Sequence, residues 1–134
     1  MDWKLILLVM AAVGALFALK RLSFVSASVA RKCLAQGALV VDVRTAGEFH
    51  GGHLSNALNI PLDELREGLP RRVPDKSQVL LLHCLSGTRS GIAKRQSRDL
   101  GYTNAFNLGS YGRAKRIVTS GVTVVGIVGL PPER

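Results

Sequence analysis

Two short apolar runs, ALVVDVR (residues 38–44) and VLLLH (residues 79–83), constrain this chain more than any other feature. Each is too short for a core helix, rich in valine or leucine, and closed by charged or polar residues. That is the pattern of a strand buried on both faces. Such strands need covering layers on both sides, and parallel neighbours need long crossovers between them. Helix signals fill the gaps. Thr45 can cap a brief helix in TAGEFHGGH, with Glu48 three residues on completing a capping box and Gly51-Gly52 ending it. The stretch at residues 88–100 reads as a longer helix stopped at Gly101. ALNIPL (57–62) and AFNL (105–108) supply two more strands, DELREGL a helix of two turns at most, and VPDKSQ a turn. The fold class is therefore α/β, a mostly parallel central sheet flanked by helices, with any ligand site at the strands' carboxyl ends.

The chain has 134 residues, room for one small domain and an appendage. We divide it into an N-terminal hydrophobic helix (1–22), a small weakly polar connector (23–30), the α/β domain (31–116) and an apolar tail (117–134). A short helix at 31–36, ended by Gly37, is expected to open the domain. The tail, IVTSGVTVVGIVGL followed by PPER, is β-branched and carries three glycines. It is too short for a second membrane span, and its expected form is an extra strand or a loosely docked segment of unknown role.

The hydrophobic helix reads LILLVMAAVGALFAL at residues 5–19, without a charge. As a helix it reaches about 22 Å, short of a bilayer's ~30 Å core. Trp3 and Lys4 on one side and Lys20-Arg21 on the other can extend it as interfacial anchors. A cleaved signal peptide is the rival, with small residues at Ser26, Ser28 and Ala30. Asp2 dilutes the leading positive charge, however, and Lys20-Arg21 lie between the apolar run and any such cleavage site, so an uncleaved single-pass anchor is favoured. Lys20, Arg21, Arg31 and Lys32 all follow the run, which places the domain in the cytoplasm by the positive-inside rule; cleavage would instead export it.

The net charge is +9 and is uneven. From Cys84 to Arg116 seven basic residues face Asp99 alone. This suits a small anionic substrate or an anionic membrane surface. Nucleic acid is disfavoured, because aromatic residues make up only 5% of the chain and no binding motif is present. Two cysteines make no disulfide framework, and Cys33 lacks a supporting motif and reads as a small apolar filler. His50 and His53 lack a third ligand, so no metal is expected, and nothing calls for a cofactor.

Cys84 is different. It opens HCLSGTRSG at the end of VLLL, where a strand meets a helix. A nucleophilic cysteine must ionise, and a free thiol with a pKa near ~8.5 is mostly protonated at neutral pH. Glycines at Gly87 and Gly91 let amides curl inward into an anion-binding nest, and the next helix presents its positive end. Arg89 adds a full charge that can hold an oxyanion in bidentate fashion. His83 closes the strand.

These segments together resemble the single-domain rhodaneses, the sulfurtransferase module, over residues 38–108. The resemblance is carried by VVDVRTAGEFHGGHLSNALNIPLDEL, by the loop CLSGTRS and by GYTNAFNLG. It implies a rhodanese-like fold in which Cys84 takes sulfane sulfur from thiosulfate or another persulfide donor and passes it to cyanide or a thiol. A protein persulfide is an equally fair partner. The loop residues Leu85, Ser86, Gly87, Thr88 and Arg89 would bind substrate, with Asp42, Arg44 and His53 in support; His53 would order its loop. Cys84 to Arg89 is C-x4-R, one residue shorter than in the phosphatase and arsenate-reductase relatives of the fold, which favours sulfur transfer. A non-catalytic docking module at the membrane is the other alternative. Ser110 and Tyr111 stand where the family often carries a second glycine and its neighbour, and its tryptophan is absent.

Overall fold

The computed structural model describes residues 2–128, the last eight by their backbone only. It contains four strands: β1 (Leu39–Asp42), β2 (Leu58–Asn59), β3 (Leu80–His83) and β4 (Ala105–Gly109). They form one parallel sheet in the order β2-β1-β3-β4. β1 and β3, the two most apolar runs, take the middle, where no backbone edge is exposed. Val43 donates its N–H to the His83 carbonyl, extending the ladder one residue past the strand ends.

Alternation along the strands splits the core into two layers. Val41, Leu80, Leu82 and Cys84 face one side, packed with Leu65, Leu69 and Tyr102. Val40, Leu81 and Leu108 face the other, packed with Ala30, Ala114 and Ile117. The first layer is covered by α4 (Leu65–Arg72) and α5 (Thr88–Asp99), the second by α2 (Ala27–Ala35) and α6 (Tyr111–Val128). Between β1 and β2, the short helix α3 (Ala46–Gly51) has the expected capping box. The Thr45 hydroxyl accepts the Glu48 N–H, and Glu48 accepts the Thr45 N–H.

Two sequence expectations need correction. The helix expected at 31–36 begins at Ala27, because the Ser26 hydroxyl accepts the Val29 N–H and caps it there. Half of the connector is thus helical. The extra strand or loosely docked segment expected over 117–130 is instead the continuation of α6 as far as Val128. The helix is started by YGRAKR and continues through Ile117 and Val118, which pack in the layer with Ala30 of α2, so at those β-branched positions packing overrides local preference. Ile117 is 3% exposed, and the boundary placed before it falls inside a continuous element. Residues 129–134, with the closing PPER, lie outside the described residues.

α1 (Trp3–Leu22) has 20 residues, which gives it about 30 Å. None of its residues is buried, and it is long and apolar enough to cross a membrane.

Candidate active site

The site lies at the carboxyl end of β3, where the chain turns into α5. That turn requires a left-handed residue, and Gly87 supplies it with φ of +94° at the N-cap of α5. The bend folds the loop back over its own first residue. The Gly87 N–H then donates to Cys84 Sγ at 3.0 Å, and Ser90 Oγ lies 3.5 Å from the same sulfur. Cys84 has no exposed surface. Burial pushes its thiol up, but the Ser90 hydroxyl and the amides of Ser90, Gly87 and Ser86 outweigh it, and the net shift is downward. The site therefore stabilises the thiolate relative to a free cysteine.

Ser90 is itself held. Its hydroxyl lies 2.7 Å from Asn107 Oδ1, so its single proton can swing from Asn107 to sulfur as charge develops there. Asn107 also accepts the Gly109 N–H and donates through Nδ2 to the Gly87 carbonyl. A polar residue 1% exposed in a strand thus fixes both the loop and its hydroxyl donor. The sequence reading missed Ser90 and Asn107. The signal for the second was present, an asparagine inside the apolar run AFNL. Gly91 sits within α5 rather than in the amide nest; a Cβ there would come 3.3 Å from Asn107 Nδ2.

Arg89 is engaged by a group the sequence reading had used only as a cap. Its Nη1 and Nη2 donate to Glu48 Oε1 and Oε2 at 2.7 and 3.0 Å. Arg89 holds the Glu48 carboxyl down at about 2, aided by Thr45 and opposed by desolvation. The fork is thus filled by a carboxylate of the chain itself, and Arg89 ties the loop to α3 while keeping its charge near the sulfur. Leu85, Ser86 and Thr88 are exposed on the loop's outer face. Beside it lies a groove of about 500 Å³ whose lining includes Thr88, Lys20, Lys94, Arg95 and Arg98.

Asp42 and Arg44 form a buried ion pair, Nη2 to Oδ2 at 2.7 Å, and Arg44 also donates to the Gly52 carbonyl. Arg44 lies over the Tyr111 ring, 4.5 Å from its centroid, and Tyr111 donates its N–H to the Leu85 carbonyl. Ser110 bridges Ser86. The two residues that replace the family's more usual pair therefore wall the loop from the far side. His83 is fully buried behind Cys84, with Nδ1 3.2 Å from the Cys84 carbonyl and Nε2 3.7 Å from Asp42 Oδ2. Burial pushes its pKa down, aided by Arg44 and against Asp42 and the Cys84 carbonyl, which favours the neutral imidazole. His53 bonds through Nδ1 to the Phe49 carbonyl and stacks on the Phe49 ring at 3.8 Å, which orders the end of α3. Among the described residues no group of three or more metal-ligating side chains occurs.

Comparison with known proteins agrees with this geometry. Residues 26–112 match the rhodanese-like domain family. The chain is 38% identical over 69 residues to the thiosulfate sulfurtransferase PspE of Escherichia coli (strain K12), covering 52% of this chain and 66% of that one. It is 36% identical over 75 residues to a tRNA uridine(34) hydroxylase of Erwinia tasmaniensis, covering 53% of this chain and 21% of that one. It thus spans just under two thirds of the first relative and about a fifth of the second. Among solved structures, the human single-domain sulfurtransferase TSTD1 superposes with a TM-score of 0.61 at 33% identity, over 70% of this chain and 96% of that one. A rhodanese with anions from E. coli gives 0.55 at 34% identity, over 57% and 91%. With its parallel sheet, its cysteine loop and this match over most of its length, the chain belongs to the rhodanese-like domain family.

Proposed function

We propose that this protein is a sulfurtransferase that carries sulfane sulfur on Cys84, taken from thiosulfate or another persulfide donor and delivered to cyanide or a thiol. The observation that carries this reading is a buried sulfur that accepts an amide hydrogen bond, beside a hydroxyl, with its pKa lowered despite burial. In the first half-reaction the Cys84 thiolate attacks the outer sulfur of thiosulfate. A sulfur–sulfur bond forms to Cys84 as the donor's own breaks, and the electron pair leaves with sulfite. In the second half-reaction the acceptor's nucleophile attacks that outer sulfur and Cys84 departs as thiolate. Such a shuttle gives ping-pong kinetics. The loop amides are placed to stabilise the persulfide anion. Because Cys84 has no exposed surface, the donor's sulfur reaches it only when the side chain rotates or the loop opens.

Two features favour sulfur transfer over oxyanion hydrolysis or arsenate reduction. The loop is C-x4-R, and Arg89 is already filled by Glu48. A docking module would have no use for a stabilised thiolate. We further propose that α1 anchors the protein as a single-pass membrane protein with the domain on the cytoplasmic side, from the basic residues that follow the helix.

Intact-protein mass spectrometry after thiosulfate or polysulfide treatment tests the reading. The expected result is a gain of one sulfur atom that is lost on adding cyanide and absent from Cys84→Ser. Folded wild-type protein that takes up no sulfur from either donor would overturn it and leave the docking module.

A further inference from the structure

The segment that follows α1 does not pass freely from the helix to the domain. Phe24 is half-buried, and its ring lies against two glycines of the active site. A Cβ on Gly87 would come 2.6 Å from Phe24 Cζ, and one on Gly109 would come 3.1 Å from Phe24 Cδ2. Both glycines have positive φ, +94° and +100°. The next residue is pinned as firmly: the Val25 N–H donates to the Asn107 carbonyl at 2.9 Å. Arg113 of α6 donates to the Val25 carbonyl and to the Leu108 carbonyl, both at 2.6 Å, and its guanidinium lies 5.4 Å from the Phe24 ring centroid.

These contacts end on the groups that surround the sulfur. Gly87 donates to Cys84 Sγ, and Asn107 holds both the Gly87 carbonyl and the Ser90 hydroxyl. We infer that Phe24 is a positioning residue for Cys84: the segment directly after the hydrophobic helix backs the catalytic loop and keeps the thiolate's hydrogen-bond donors in place. An aromatic ring suits this task, because it is a rigid apolar body that fits against two backbones that carry no side chain, with the Arg113 guanidinium over it. The inference rests on Cys84 being the nucleophile, and its test reads the thiolate directly, whether or not sulfur is transferred.

The test titrates the Cys84 thiolate by its ultraviolet absorbance in the full-length chain in detergent, with Cys33→Ser as background so that one thiol reports. In Phe24→Ala the midpoint should rise by about half a unit or more, which lowers the thiolate fraction at neutral pH roughly threefold. Alkylation rates should fall in parallel at neutral pH and converge with the parent well above both midpoints. A variant that melts earlier with its midpoint unmoved would show a merely structural ring and overturn the inference. A lowered midpoint, as from water entering around the sulfur, would do the same. If Phe24→Ala does not fold, Phe24→Leu takes its place: a smaller upward shift supports the role, and an unchanged midpoint refutes it.

Discussion

At Cys84, two opposing effects meet at one atom. Burial disfavours the thiolate and hydrogen bonds favour it, and the bonds prevail. Ser90→Ala removes the hydroxyl that serves both sulfur and Asn107. We expect a raised thiol pKa, sulfur-transfer rates about 3- to 10-fold lower at neutral pH, and a stability loss of about 1 kcal/mol, measured by pH–rate profile and thermal melting. Glu48 makes a separate prediction. Its folded pKa, about 2, lies below its ordinary value of 4.5. The stabilisation from its pairing with Arg89 is therefore complete above about pH 4.5 and lost as the pH falls towards 2. Glu48→Gln can still serve in the capping box but loses the charge, so it should cost about 1 kcal/mol near neutrality. The gap in melting temperature between variant and parent should close as pH drops through that window; a constant gap would remove the ion pair from the account. Cys84 and its loop were legible in sequence because their residue types are unusual together. Ser90, Asn107 and the Glu48–Arg89 pairing were not, since each depends on which residues the fold brings within 4 Å.

At the level of elements, β1 and β3 were readable because burial on both faces leaves a continuous apolar run, and α3 because its capping box is wholly local. α6 was not. Its later residues have strand-like composition, and the packing that holds the helix, of Ala114, Ile117 and Val118 with Ala30 of α2, joins residues far apart in the chain. Ile117 tests this, since a loosely docked tail and a packed helix give it very different environments. At 3% exposure among Leu81, Leu108 and Ala30, Ile117→Ala should cost about 2–4 kcal/mol in chemical denaturation. A cost below about 0.5 kcal/mol, as for a surface site, would contradict the packing of α6 against the sheet.

For the whole molecule, the sheet separates the two cysteines: Cys84 belongs to the layer under α4 and α5, and Cys33 packs in the layer under α2 and α6. Mild oxidation should therefore produce no disulfide within the chain, as non-reducing gels and mass mapping would show. The sequence alone does not separate the two cysteines in this way, because linear spacing does not say which face of a sheet a residue joins. The membrane role proposed for α1 makes a further prediction. Full-length protein should stay with membranes through alkaline carbonate extraction, whereas a chain lacking residues 1–22 should leave them. Release of the intact chain would argue that α1 does not span. The join between α1 and the domain also sets a limit on geometry. α1 ends at Leu22 and the Phe24 ring already rests against Gly87 of the cysteine loop, so Ser23 alone lies between Leu22 and Phe24. At ~3.8 Å per residue, no more than about 8 Å of chain separates the helix end from the backbone of Phe24. With α1 in a bilayer, so short a join would hold the domain close to the membrane surface. A sulfur donor or acceptor would then meet Cys84 near the lipid surface rather than at the end of a long tether.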